Sequence, residues 1–176
     1  MKTCFLIILF TFFLVLSGCG DEGQDGLTGP RDLPINFSIS DSFPSGVTKT
    51  IIEAGQKWEE VVGLRLFVFE TVDSNLDPST DGLNVITTGD VTAGALGQTQ
   101  TTFISGNLES DIIISSAFDY TNFDFFSHIA HELGNALQIP DTNDANAIMN
   151  GDLDPGEKNF FTTADNQLFF NRYKRD

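Results

Sequence analysis

A run of five residues beginning at His131, with the sequence HELGN, combines side-chain types and a spacing suited to metal chemistry. In the helical pattern H-E-x-x-H, the two histidines lie on one face and share a zinc ion, and the glutamate acts as general base. Here His131 and Glu132 keep the first two positions, but Asn135 stands where the second histidine would be. A longer pattern continues with a glycine and a third ligand, and this chain has Gln138 and Asp141 at those positions. The segment therefore predicts a metal-binding helix with an altered ligand set.

The altered position weakens the expected metal site. A catalytic zinc ion takes three protein ligands and keeps a fourth position for water. The Asn135 carboxamide is neutral and shorter than imidazole, whereas the carboxylate of Asp141 is a ligand that zinc accepts. Changes in the residues that support metal ligands already cost about 10- to 100-fold in affinity, and loss of a ligand should cost at least as much. We therefore expect zinc to bind weakly or not at all.

A second imidazole lies close by in the sequence. His128 precedes His131 by one helical turn, and the two are the only histidines of the chain. His128 could supply the second imidazole of a rebuilt ligand set, with water or Glu132 as a further ligand. If Glu132 became a ligand, it could no longer serve as the base. A hydrogen-bonded packing role for His128 is the alternative.

Residues 123–137 are predicted to form the helix that carries these side chains. Its apolar residues share one face: Phe126, Ile129, Ala130, Leu133 and Leu137. Its polar residues fall at i, i+3, i+4 and i+7 on another face: His128, His131, Glu132 and Asn135. The pattern predicts that one face packs in the core and that the other faces a site.

The rest of the chain supplies a scaffold for this helix. Alternation and β-branched residues predict strands at residues 33–40, 64–72, 83–88, 98–104 and 111–116. Helical spacing predicts helices at 48–62, with Gly63 as the stop, and at 162–173, where T-x-x-D is a capping pattern. Residues 73–82 and 141–158 are expected to be irregular. This order predicts an α/β (α+β) fold with a twisted mixed sheet.

The N-terminal part has the features of an export signal. Residues 5–16 form a short apolar run after Lys2, and the run ends in Leu16-Ser17-Gly18-Cys19, which resembles a bacterial lipobox. Residues 1–18 are therefore predicted to be a lipoprotein signal peptide, and Cys19 the lipidated residue. An ordinary secretory signal with an incidental cysteine is the alternative. Residues 19–32 are predicted to be a glycine-rich tether, and residues 33–176 a single domain.

The charge of the chain limits its partners. It has 25 acidic and 9 basic residues, for a net charge of −16. Such a chain repels nucleic-acid phosphates and anionic lipid headgroups. We therefore expect no nucleic-acid partner, and we expect the chain to attach to a membrane only through acyl chains. Cleavage before Cys19 would leave that single cysteine, so no internal disulfide is expected.

Beyond the five-residue motif, the chain resembles the matrixin-type members of the metzincin peptidases. Residues 130–134 match the centre of the family's helix motif, and Ile148-Met149 resembles its Met-turn, which passes beneath the metal. Residues 95–120 resemble the strand pair and the edge segment that lines the substrate cleft. Within this segment, the strand at residues 99–104 or its neighbour at residues 111–116 is expected to pair with an extended peptide. Shorter similarities lie in the first helix, at residues 56–59, and at the start of the last helix, at residues 163–165.

The resemblance implies a role for each matching residue. His131 would be the first zinc ligand and Glu132 the general base, Asn135 and Asp141 would occupy the second and third ligand positions, and Met149 would form the Met-turn. It also implies a cleft that binds a peptide or protein. Structural calcium within residues 141–154 would fit the family. Residues 73–77 carry alternating oxygen side chains, but Pro78 stands where a calcium loop of the EF-hand type needs glycine.

Two functions are consistent with this sequence. The first is a degenerate peptidase domain on the bacterial cell envelope, facing the periplasm or the exterior, that binds a peptide or protein without efficient hydrolysis. The second is an active zinc endopeptidase with a non-standard ligand set of His131 and Asp141, completed by His128 or Asn135. The side chain at position 135 separates the two, and we expect the first.

Overall fold

The computed structural model describes residues 31–72, 76–78 and 80–173. These residues form five strands and three helices. In chain order they are β1 (Ile35–Ser40), α1 (Ser45–Val62), β2 (Phe67–Val72), β3 (Asn84–Gly89), β4 (Gly97–Ile104), β5 (Asn107–Ser115), α2 (Phe125–Ala136) and α3 (Thr163–Arg172). The predicted mixed α/β fold is therefore confirmed, and each predicted strand and helix is present with ends shifted by a few residues.

The five strands form one sheet in the order β2-β1-β3-β5-β4. The pairs β1–β2, β1–β3 and β3–β5 are parallel, and only β4 runs antiparallel to its neighbour β5. The parallel strands are joined by helical or long connections, as parallel pairing requires. β4 and β5 instead form a hairpin that turns through Ser105 and Gly106, both with positive φ. This hairpin makes β4 the last strand at one side of the sheet.

The hairpin explains the main difference from the predicted boundaries. The sequence pattern predicted a strand only at residues 111–116, but β5 begins at Asn107. The added residues include Glu109 and Ser110, polar side chains that are nevertheless buried. Backbone pairing with β4 extends to the turn and includes these polar residues. Their polarity is not typical of a strand, so the sequence pattern did not predict this part of β5.

The core lies between the sheet and the first two helices. Alternate residues of β1, namely Ile35, Phe37 and Ile39, are buried, and so are Ile112 and Ile114 of β5. α1 and α2 pack on each other, α1 also contacts β2, and α2 contacts β4 and β5. Gly63 ends α1 in the left-handed conformation, as the sequence predicted. The contacts of α2 with α1, β4 and β5 hold it beneath the β4–β5 hairpin.

The predicted signal peptide, Cys19 and almost all of the predicted tether lie outside the described residues. Within the described residues, no helix combines the length and the apolar character that crossing a membrane requires.

Candidate functional site

The helix that carries the motif is fixed at its start and along its length. At its start the Asp124 carboxylate accepts hydrogen bonds from the backbone N–H and the hydroxyl of Ser127. Further along, the Trp58 indole N–H of α1 donates to the Ala130 carbonyl oxygen at 2.8 Å. At Gly134 a Cβ atom would lie 3.0 Å from Trp58 Cζ2 and would collide with the Met149 sulfur. Glycine at this position therefore lets α1 and residue 149 pack closely against the middle of α2.

A turn at Ile148 and Met149 passes under the helix and is held by a buried carboxylate. The backbone N–H groups of Ile148 and Met149 donate to the Asp165 carboxylate at 3.3 and 2.8 Å. The same carboxylate accepts the Thr162 backbone N–H at 2.7 Å, which completes the capping box that opens α3. Asp165 is fully buried. One carboxylate thus joins the start of the last helix to the turn beneath the motif.

This turn fixes the orientation of His131. The carbonyl oxygen of Ile148 lies 3.0 Å from His131 Nδ1. A carbonyl oxygen can only accept, so Nδ1 carries a hydrogen and donates. In the neutral ring, Nε2 then has a free lone pair, because one imidazole nitrogen donates and the other accepts. The described residues offer Nε2 no hydrogen-bond partner, although it is buried.

Asp141 reaches His131 because the chain turns sharply out of α2. Gln138 adopts a positive φ of 59°, so this glutamine takes the left-handed conformation that favours glycine. Asp141 Oδ1 lies 3.7 Å from His131 Nε2, beyond hydrogen-bond length but within ion-pair range. On its other side, a Cβ at Gly151 would lie 2.9 Å from Asp141 Oδ2. The glycine gives the carboxylate room beside the histidine.

Glu132 is held by neighbours on the helix and on β4. The Thr99 hydroxyl lies 2.6 Å from Glu132 Oε2 and 3.0 Å from the Glu132 carbonyl oxygen. Asn135 Nδ2 donates to the same carboxylate oxygen at 3.3 Å. Glu132 is only 1% exposed. Its second oxygen, Oε1, has no hydrogen-bond partner within the described chain. The amide at position 135 therefore contacts the glutamate of the motif.

His128 is a buried neutral imidazole on the same face. Burial lowers its pKa to about 4, the nearby Glu132 carboxylate opposes this shift, and His131 adds to it. Its Nε2 atom lies 3.9 Å from Glu132 Oε1, and its ring contacts the Phe118 ring at a centroid distance of 5.4 Å. A Cβ at Gly97 would collide with this nitrogen. Because Gly97 has no side chain, β4 can lie directly against the imidazole.

An open cleft of about 470 Å³ leads to these side chains. One wall is the segment 92–96, just before β4, and the opposite wall is the segment 150–155, just after the turn at Met149. His128, His131 and Ile148 lie between the walls. Since β4 is the last strand of the sheet order, the cleft adjoins a strand with only one strand partner in the described sheet.

The structure brings the predicted site residues together without completing a metal site. His131 lines the cleft, and Glu132 and Asn135 follow it on α2 in contact with each other. Asp141 Oδ1 lies 3.7 Å from His131 Nε2, a spacing that two ligands of one ion would show, and Met149 packs under the helix at Gly134. In the described part of the chain, however, no three His, Cys, Asp or Glu side chains are grouped closely enough to hold a metal. The donor set also differs from that of a catalytic zinc ion with three protein ligands, because position 135 supplies a neutral amide that donates to Glu132.

Three further residues of the site were not predicted. Thr99 holds Glu132, Gly97 lets β4 approach His128, and Asp165 holds the turn. The sequence marked Thr99 only as part of a strand and Gly97 only as part of the resembling segment at residues 95–120. Asp165 was marked only as part of the start of the last helix, by the capping pattern at Thr162 and by the resemblance at residues 163–165. Their contacts join segments between 16 and 33 residues apart, which no local pattern reports.

Residues 141–158 are irregular, as predicted, with isolated bridges between Thr142 and Asn150 and between Ala147 and Phe160.

In comparisons with known proteins, no protein-family model and no curated protein matches this chain.

Proposed function

We propose that this domain is a degenerate matrixin-like peptidase homologue that binds an extended peptide or protein segment in its cleft without efficient hydrolysis. The observation that carries the proposal is the contact between Asn135 and Glu132. In an active site of the resembled family, position 135 would hold the metal and Glu132 would face the bound water. Here the amide and the Thr99 hydroxyl both bind the carboxylate, which is thereby held by hydrogen bonds within the protein.

The cleft itself supports peptide binding. One wall of the cleft, residues 92–96, leads directly into β4. A strand at the side of a sheet has backbone N–H and C=O groups with which an extended peptide can pair. The sequence alone left two strands for this role, residues 99–104 and residues 111–116. The second is excluded, because β5 lies between β3 and β4 and both of its sides are paired. We therefore assign peptide pairing to β4.

The second candidate function is an active zinc endopeptidase. It is favoured by the 3.7 Å spacing of His131 Nε2 and Asp141 Oδ1, which two ligands of one ion would show. A third donor would then have to come from His128 or Asn135 after side-chain movement. The two candidates differ in their response to a chelator.

Binding of a fluorescein-labelled extended peptide to the full chain, purified in a mild detergent, tests the proposal. We expect the same affinity with and without EDTA, because pairing with β4 uses backbone groups. Ala95→Trp, in the wall of the cleft, should weaken binding severalfold. Ala145→Trp, exposed and outside the cleft lining, is the matched control and should bind like the parent. Chelator-sensitive cleavage of the peptide would favour the endopeptidase instead.

We propose the cell envelope as the location, with acylated Cys19 as the attachment to the membrane. This rests on the lipobox-like sequence and on the net charge of −16, which would repel anionic lipid headgroups and leaves acyl chains as the means of attachment.

A further inference from the structure

The two outer strands of the sheet differ in their protection against pairing with other strands. Natural outer strands usually carry charged side chains or proline, which keep further strands from adding to them. β2 carries Glu70, whose side chain is exposed. β4 has neither a charged residue nor a proline, and residues 91–108 contain no Asp, Glu, Lys or Arg. In a chain with 25 acidic and 9 basic residues, this uncharged run indicates that β4 is the outer strand open to pairing.

β4 also carries an exposed aromatic side chain. Phe103 is 61% exposed, and of the exposed large apolar side chains in the described residues it is the only one that belongs to a strand. A single exposed apolar residue is ordinary elsewhere on a protein surface. In an uncharged strand with one unpaired side, however, an apolar side chain favours the addition of another strand. Phe103 is therefore a candidate contact for a bound segment.

The register of the hairpin shows where a neighbour of Phe103 would lie. Phe103 is directly opposite Leu108 of β5, which is half-buried. Because side chains alternate along a strand, Phe103 shares a face of the sheet with Thr99. The Thr99 hydroxyl lies 2.6 Å from Glu132 Oε2, so this face is the one toward α2. A segment that pairs with β4 would place one of its side chains beside Phe103, on the side away from Leu108.

Charge distinguishes the possible sources of such a segment. Two copies of this chain would each bring a net charge of −16 and would repel one another. The wall of the cleft opposite residues 92–96 exposes Asp152 and Asp154. Among the described residues that line the cleft, none is a lysine or an arginine. A segment of another protein that lacks acidic residues is therefore favoured over a second copy of this chain.

We propose that β4 selects an extended segment of a partner protein that places an aromatic or branched apolar side chain beside Phe103 and has no acidic residues. This inference rests on the peptide-binding function proposed above and names its ligand class. Phe103 is four residues beyond Thr99, about 13 Å along the strand, so this contact is separate from the side chains of the motif. A cross-strand pair of this kind adds about two- to fivefold to the affinity.

Three unlabelled peptides with blocked ends test this assignment by calorimetry on the full chain in a mild detergent and EDTA. Each has nine residues of alternating threonine and glutamine, with either phenylalanine or serine at both position 2 and position 8. This symmetry brings one of the two residues near Phe103 in either strand direction. We expect the phenylalanine form to bind about three- to fivefold more tightly than the serine form. The third peptide, the phenylalanine form with a central glutamate, should bind more weakly than its parent peptide.

The variant Phe103→Thr should bind the phenylalanine and serine forms alike, because the aromatic contact is removed. Threonine is well suited to strands, so β4 should keep its structure. Phe160→Thr is the matched control, because Phe160 is 64% exposed, belongs to no strand and lies outside the cleft lining. This control should keep the preference for the phenylalanine form.

Each other outcome counts against a definite statement. Equal affinity of the parent for the phenylalanine and serine forms would overturn the role of Phe103 and leave peptide binding intact. A preference lost equally in Phe160→Thr would show general adhesion of apolar peptides and would also overturn it. Undiminished binding of the glutamate form would overturn the exclusion of acidic residues. Dimers of the parent in light scattering that dissociate in Phe103→Thr would make a second copy the occupant of β4 and overturn the proposal. If none of the peptides binds, the proposed function itself fails, and this inference fails with it.

Discussion

At the scale of single residues, position 135 decides what the motif can do. The Asn135 amide donates to Glu132 Oε2, and the Thr99 hydroxyl lies 2.6 Å from the same atom. His131 and Asp141 remain in a geometry that suits a shared ligand. The side chain at position 135 thus binds the glutamate by a hydrogen bond, where a histidine would offer a ring nitrogen to a metal.

Replacing this residue should restore metal binding. Asn135→His places a second imidazole one turn after His131, on the same face, and with Asp141 makes three ligands. We expect tighter zinc binding than in the parent by at least about 10- to 100-fold, together with chelator-sensitive proteolysis. Zinc content after dialysis and cleavage of a labelled peptide measure the two effects.

The double variant with Glu132→Gln is the control for this change. It should keep the gain in zinc binding and lose the proteolysis, because the general base is removed. Robust proteolysis by the parent that disappears when only Glu132 is replaced would contradict the degenerate-peptidase proposal.

At the scale of elements, α2 is positioned by close contacts rather than by helix propensity. Its polar face was predicted to face a site, yet His128, His131 and Glu132 are all buried, because β4 and the turn at Met149 cover this face. The helix can approach these neighbours because glycines stand at the points of contact. The geometry of the site therefore depends on α2 staying in register with its surroundings.

Gly134→Ala should disturb this register. The added methyl group would collide with the Met149 sulfur and lie 3.0 Å from Trp58 Cζ2, so we expect a loss of about 1–3 kcal/mol in the free energy of unfolding. Gly46→Ala in the first turn of α1 is the matched control. A Cβ there meets nothing within 4 Å, and alanine should be neutral or stabilise by up to about 1 kcal/mol. Urea denaturation of both variants measures the difference, and equal stability would show that the approach at Gly134 is not tight.

At the scale of the whole molecule, the large excess of acidic residues extends into buried positions. Asp111 of β5 is 4% exposed and accepts the Val85 backbone N–H at 3.1 Å. Burial raises its pKa to about 7. The hydrogen bond from Val85 opposes this shift, Glu109 and Asp81 add to it, and Arg31 opposes it more weakly. The folded state thus binds a proton at Asp111 more tightly than the unfolded chain does.

This pKa gives a pH dependence of stability with a definite sign. Since the folded-state pKa lies above the ordinary value, the contribution of Asp111 becomes less favourable as pH rises from about 4 to about 7. Asp111→Asn keeps an oxygen acceptor for Val85 and cannot ionise. It should therefore gain stability relative to the parent over that range, reaching on the order of 1 kcal/mol above pH 7.

Urea denaturation at pH 4.5, 6 and 8 measures the change. The exposed Asp90→Asn serves as control and should show a smaller dependence. A difference between Asp111→Asn and the parent that stays constant with pH would contradict the raised pKa.

Attachment of the whole molecule to a membrane is expected to depend on one residue. Cys19→Ala should leave the chain unprocessed or soluble, because burial of acyl chains supplies the membrane affinity at about 0.8 kcal/mol per CH₂. Fractionation of cells that express parent and variant measures this. Normal processing of the variant and unchanged recovery with membranes would contradict the lipoprotein proposal.

The sequence by itself determined the elements and the composition of the site. Periodicity and capping patterns predicted five strands and three helices, because these signals are local and repeat within one element. The motif identified His131, Glu132, Asn135 and Asp141 as neighbours along the chain. The sequence did not show which of two strands, residues 99–104 or residues 111–116, lies at the side of the sheet. Strand order depends on contacts between distant segments, which local patterns do not report.

Only the tertiary structure decided how these residues act. Asn135 donates a hydrogen bond to Glu132 on the same helix. The other contacts arise where separate segments meet: Thr99 and Gly97 of β4 lie against α2, and Asp165 of α3 holds the turn at Met149. Gln138 shows the same point for the backbone. A glutamine does not predict a positive φ, yet packing at the end of α2 holds it at 59°, and the chain brings Asp141 to His131.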